Sequence, residues 1–109
     1  MPIANCIVTP HCQPGFGDLV ERWASESGQS PEHMTVNIMT AVQQYGKEYH
    51  VMATLWLPSV WSDAGITSLQ VGLARALAKH FDLALKEVHV MTRIVESGRV
   101  VEDGQEIHW

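Results

Sequence analysis

The chain has 109 residues and a net charge of −5, with no run of Lys or Arg, which sets aside binding to a phosphate backbone. Charged residues make up 17 % of it, against about 25 % in an ordinary soluble domain, while 46 % is hydrophobic, including four tryptophans and five methionines. That length builds one core and one domain over residues 1–109, and the apolar excess predicts surface covered by another copy of the chain.

No apolar stretch approaches the roughly 18–20 residues of a membrane span, and the N-terminus lacks a basic segment followed by an apolar one. The expectation is a soluble, cytoplasmic protein without membrane or nucleic-acid partners. Cys6 and Cys12 do not make a disulfide framework, and His11 beside Cys12 lacks the second spaced pair that a tetrahedral metal site needs. Both are read as structural thiols, and no metal site is expected.

Met1-Pro2 opens the chain and leads into an apolar run, so residues 2–9 read as a buried strand closed by Thr9-Pro10. A small residue after the initiator lets Met1 be trimmed. Pro2 would then carry a free secondary amine that titrates near ~8 when unperturbed, within reach of general acid or base work. Pro14 to Asp18 opens a helix with Leu19, Val20, Trp23 and Ala24 on one stripe, and Gly28 ends it. After the Ser30-Pro31 turn, alternation from Met34 to Val42 predicts a strand over 33–44. Tyr45 to Glu48 reads as a hairpin turn into a third strand, 49–57, with Val51, Ala53, Leu55 and Leu57 on one face.

Asp63 is the expected cap of a helix over 64–81, where Ile66, Leu69, Leu73, Ala76, Leu77 and His80 recur at three- and four-residue steps. Residues 87–95 form a fourth strand, with Val88, Val90, Thr92 and Ile94 opposite His89, Met91 and Arg93. Ser97-Gly98 is a turn, Val100-Val101 a brief extended stretch, and Glu102 to Trp109 a polar tail with an apolar end. His33, His50, His80 and His108 read as structural or solvent-facing. Trp56, Trp61 and Trp109 either line an apolar pocket or pack between subunits, packing being expected for at least two.

The order β-α-β-β-α-β fits two α/β architectures, the ferredoxin-like sandwich and a doubled βαβ unit with parallel pairing inside each half. The pattern alone leaves both open.

Pro2 on a first strand, the doubled order and the chain length together resemble the tautomerase superfamily, which includes oxalocrotonate tautomerase, macrophage migration inhibitory factor and cis-3-chloroacrylic acid dehalogenase. Ile94-Val95-Glu96-Ser97-Gly98-Arg99, then Gly104-Gln105-Glu106 and Trp109, are similar to the segment of the cis-dehalogenase group that carries its water-activating glutamate, and Val36-Asn37 also matches that group. The resemblance implies an α+β fold with a four-stranded mixed sheet and two helices on one face, assembled as a homotrimer. It implies a cofactor-free tautomerase acting on a small 2-oxo or unsaturated carboxylic acid, with a hydratase or dehalogenase as the alternative. Pro2 would be the catalytic amine, Glu96 the carboxylate that positions or activates water, and Arg99 a grip on an anionic substrate, with Asn37 as a further contact; Arg93 is a candidate contact from its own strand face, which it shares with His89 and Met91.

Four positions depart from the family. Met91 replaces the tyrosine of the fourth strand, the first-helix histidine falls near Trp23, and the two arginines at the second helix fall on Trp61 to Ile66 without counterparts. Those losses argue against dehalogenation of a small acid and leave room for a non-catalytic binding protein on the same fold.

Overall fold

The computed structural model describes residues 1–109. The first strand, β1 (Ile3–Val8), is followed by the helix α1 (Leu19–Ser27) and by β2 (Thr35–Thr40). The second half repeats the plan with β3 (Val51–Pro58), α2 (Asp63–Phe81) and β4 (Val88–Val95), and the chain ends in a hairpin of β5 (Val100–Glu102) and β6 (Gln105–Ile107).

Both helices start where a side chain satisfies free backbone N–H groups. The Asp18 carboxylate accepts from Val20 and Glu21 at 3.0 and 3.2 Å, and the Ser62 hydroxyl accepts from Gly65 at 3.1 Å. Ser62 therefore caps α2 in place of the expected Asp63, which sits in the first turn, where a negative charge suits the helix dipole.

The sheet order is β2-β1-β3-β4, with β1 parallel to β2, β3 parallel to β4, and β1 antiparallel to β3. Each βαβ unit is thus unsplit, which separates this architecture from the ferredoxin-like one. The order also corrects the reading of residues 45–48. β2 and β3 are not neighbours, so the segment after β2 is no hairpin turn but a connection across the end of β1. It is tied down where Ala41 donates to the Val8 carbonyl at 2.8 Å and Thr9 to that of His50 at 3.0 Å. The strand expected over 33–44 shortens to Thr35–Thr40, since a 3-10 turn at Pro31–His33 precedes it.

Ala4, Cys6 and Val8 of β1 and Val51, Ala53, Leu55 and Leu57 of β3 face the two helices and are buried with Trp23, Leu69, Leu73 and Leu77. Each large apolar side chain among them contributes roughly 1.5–3 kcal/mol on leaving water. The opposite face carries no helix. There Ile7, Met39, Met52, Trp56 and Met91 are 36–51 % exposed, so the sheet has one filled face and one bare apolar face.

Candidate active site

A cavity of about 410 Å³ opens at the start of β1. Ile3 and Thr35 supply its floor from the first residues of the parallel pair β1 and β2. Pro58 and Val60 enter from the end of β3, and His33 from the turn before β2. The cover is the C-terminal hairpin, which contributes Val100, Glu102 and Ile107, with Trp109 beyond it.

The hairpin is what the sequence reading missed. Asp103 and Gly104 both have positive φ, 51° and 73°, as a tight two-residue turn requires, and the Asp-Gly pair was the available signal. Gly98 donates to the Ile107 carbonyl at 2.9 Å, the Trp109 N–H to the Ser97 hydroxyl at 2.8 Å, and the Trp109 indole to the Ser59 hydroxyl at 2.9 Å. The tail is thereby pinned to the loop after β3.

The N-terminus belongs to this cavity. Met1 and Ile3 line it, and Pro2 between them is buried, its carbonyl accepting the Thr35 N–H at 3.0 Å. Burial lowers the pKa of the Met1 α-amino group from its ordinary 8.0, and the nearby Glu102 carboxylate works against that by favouring the charged form. A partly desolvated amine, one carboxylate and apolar walls can exchange a proton with a carbonyl compound held between them.

The other sequence-derived candidates lie elsewhere. Glu96 and Arg99 are exposed in the turn after β4, where the Arg99 N–H donates to the Glu96 carbonyl at 3.1 Å. Arg93 pairs with Trp56 across β3 and β4, and Asn37 donates to the Asn5 side chain at 2.8 Å, both on the bare sheet face. None of the four lines the cavity. Sequence reasoning passed over Glu102 because the segment read as a polar tail. Trp109 lines the cavity, whereas Trp61 packs against the core. His80 lies outside it, against Gly15 and edge-on to Phe81, and burial lowers its pKa. No group of three or more His, Cys, Asp or Glu side chains is placed to hold a metal ion.

This doubled βαβ sheet, with an amine at the start of β1, matches solved structures over nearly its whole length. A native fused 4-OT is 14 % identical with a TM-score of 0.74, the alignment covering 95 % of this chain and 94 % of that one. A member of the cis-3-chloroacrylic acid dehalogenase family is 12 % identical with a TM-score of 0.70, covering 96 % and 82 %. The macrophage migration inhibitory factor of Trichinella spiralis is 11 % identical with a TM-score of 0.72, covering 96 % and 99 %. The chain therefore has the fold of the tautomerase superfamily. No protein-family model and no curated protein matches its sequence.

Proposed function

We propose that the protein is a keto–enol tautomerase whose base is its N-terminal amine, carried by Pro2 once Met1 is removed. The observation that supports this reading is the N-terminus at the cavity, where Met1 lines the wall, Pro2 is buried, and burial lowers the pKa of the Met1 α-amino group. A neutral amine removes the proton α to a carbonyl and returns it at the far end of the enol system. The proline ring removes a rotor and keeps the nitrogen aimed at the substrate.

The substrate class is a small enolisable 2-oxo compound. Hydration of an unsaturated acid is the second reading, and Glu102 is the observation that favours it. A carboxylate beside the amine favours the protonated form, which would donate to carbon while the carboxylate draws a proton from water. In that reading the water-activating role passes from Glu96 to Glu102, the carboxylate that lines the cavity.

The assembly proposed is a homotrimer closed through the bare sheet face, with Arg93 and Asn37 at the interface. Structures of similar fused 4-OT proteins are described as symmetric and asymmetric trimers, and Ile7, Met39, Met52 and Met91 supply the apolar area. Light scattering should return three times the 12.1 kDa chain mass.

The deciding experiment begins with intact mass, to establish that Met1 is absent from the active protein. Phenylenolpyruvate ketonisation is then compared between the trimmed protein and Pro2→Ala. The variant is expected to lose on the order of 10²-fold in kcat/KM. Equal rates, or full activity with Met1 retained, would rule out the amine mechanism.

A further inference from the structure

We infer that His80 is an acid-sensitive latch: its neutral ring holds the connection between β1 and α1 against the end of α2, and protonation releases that connection.

The contact starts from a glycine. His80 stands in the last turn of α2, and its imidazole lies so directly on Gly15 that a Cβ at that position would overlap the ring. The connection can therefore lie this low over the helix end only without a side chain there. The Phe16 N–H donates to the His80 carbonyl at 3.1 Å, and this is the one backbone hydrogen bond that residues 13–17 make. The ring in turn meets Phe81 edge-on, with centroids 4.8 Å apart, and Phe81 is part of the core. One residue thus fastens the connection by both its ring and its backbone. The latch sits on the helix side of the sheet, away from the bare face.

The inner nitrogen of the ring makes this contact sensitive to charge. Nδ1 of His80 is buried and has no hydrogen-bond partner. In a cation that nitrogen must carry a proton, which nothing there accepts. Arg22 of α1 is the charged side chain whose field reaches the ring, and its own Nε is buried without a partner. Nearby carboxylates are committed or exposed. Asp18 accepts from the first N–H groups of α1, Glu26 of α1 pairs with Lys79, and Asp82 is exposed past the end of α2. Residues 13–17 carry no titratable side chain; before them His11 is exposed, and burial pushes the Cys12 thiol up. Burial lowers the pKa of His80 from its ordinary 6.5; a hydrogen bond to the Phe16 backbone opposes this, and Arg22 adds to it. A ring whose pKa is lower when closed than when open holds best while neutral. The closure is complete well above pH 6.5 and weakens as pH falls through that value.

The test is hydrogen exchange of the full chain by NMR, each rate divided by the intrinsic rate at the same pH. Between about pH 7.5 and about pH 5.5 protection of the Phe16 N–H should fall several-fold, with a ceiling of about tenfold for a group that titrates at 6.5 when open. The Trp23 indole N–H, bonded to the Leu69 carbonyl, should hold steady because the helices stay packed. His80→Phe keeps a ring without a titratable nitrogen and should abolish the fall, circular dichroism verifying that the variant folds. Should it not fold, the ring's own titration in the unaltered protein decides, and its midpoint should lie below 6.5. A midpoint at or above that value overturns the inference, as does Phe16 protection that ignores pH. A fall that persists in folded His80→Phe assigns the effect to another group and overturns it equally. Parallel loss at Trp23 would show acid unfolding of the whole domain in place of a latch.

Discussion

In the first βαβ half a 9-residue helix lies over β1 and β2; in the second a 19-residue helix lies over β3 and β4. The length difference decides where the core sits. α2 buries Leu69, Leu73, Ala76, Leu77 and Phe81, and β3 beneath it is buried at Val51, Ala53, Leu55 and Leu57. β2, under the short helix, has no buried residue. The starts of the two inner strands differ in the same sense. Before β3 stands His50, whose N–H donates to the Glu87 carbonyl at 2.9 Å and whose ring lies 3.5 Å from the Glu87 carboxylate. Before β1 stands Pro2, with a chain terminus and a hairpin over it. One plan, used twice, ends in a packed strand start in one half and in a strand start beneath a cavity in the other.

The comparison breaks first at the joint between the halves. Trp23 of α1 is fully buried and donates its indole N–H to the Leu69 carbonyl of α2 at 3.0 Å. Trp23→Ala is expected to cost about 4 kcal/mol in urea unfolding, from lost burial and an unfilled cavity. A loss under about 1 kcal/mol would mean the lightly packed half is held elsewhere.

The same joint has a second, smaller lever. A Cβ on Gly72 would come within 2.9 Å of the Ser27 backbone, so α1 and α2 approach as closely as they do because α2 has no side chain there. Helix propensity favours alanine over glycine by about 1 kcal/mol. The clash is with backbone, which cannot swing aside, and overpacking of this kind costs about 1–3 kcal/mol. Gly72→Ala is therefore expected to destabilise, by denaturant midpoint; a gain in stability would show that the helices part freely.

Much of this scaffold was legible in the sequence. The apolar steps of α2 and the alternation of β3 and β4 are periodic over long spans, and period is what burial imposes on a sequence. Strand order was not legible, because pairing of β1 with both β2 and β3 is a long-range choice that local pattern does not encode. The site was legible only in part. Pro2 stood out by chemistry, but Glu102 depends on a three-residue strand folding back across the start of β1, and only Asp103-Gly104 hinted at it. Glu96 and Arg99 were selected by motif position, which does not report which way the following hairpin turns.

The acid–base contrast between the two strand starts gives a pH test. A neutral amine catalyses more as pH rises through its pKa and levels off above it. Burial lowers the pKa of the Met1 α-amino group in spite of Glu102, and Pro2, the next residue, is itself buried, so the midpoint of the kcat/KM profile should fall below that of an exposed prolyl amine. Glu102→Gln removes the one influence that raises the pKa, so the midpoint should move to still lower pH. Glu87→Gln, at the matching position beside His50, should leave it in place. A midpoint that moves up in Glu102→Gln, or moves equally in both variants, contradicts the assignment of Glu102 to the amine.

The smallest expected effect concerns the cover that only the first half possesses. Ser59 follows β3, and its hydroxyl accepts the Trp109 indole N–H, an exposed contact between the end of the chain and the far side of the cavity. Ser59→Ala deletes one hydrogen bond, worth about 0.5–1.5 kcal/mol at most, and leaves the core untouched. Global unfolding should therefore not shift measurably. The change should appear locally, as faster hydrogen exchange of the Gly98 N–H, which bonds to Ile107 at 2.9 Å and reports whether the hairpin is closed. Looser cover admits water to the amine, so kcat/KM should fall several-fold while Pro2-dependent catalysis persists. Faster exchange without any change in rate would mean that the hairpin shields the cavity less than its position suggests, and that the first half's chemistry needs only the strand end and Glu102.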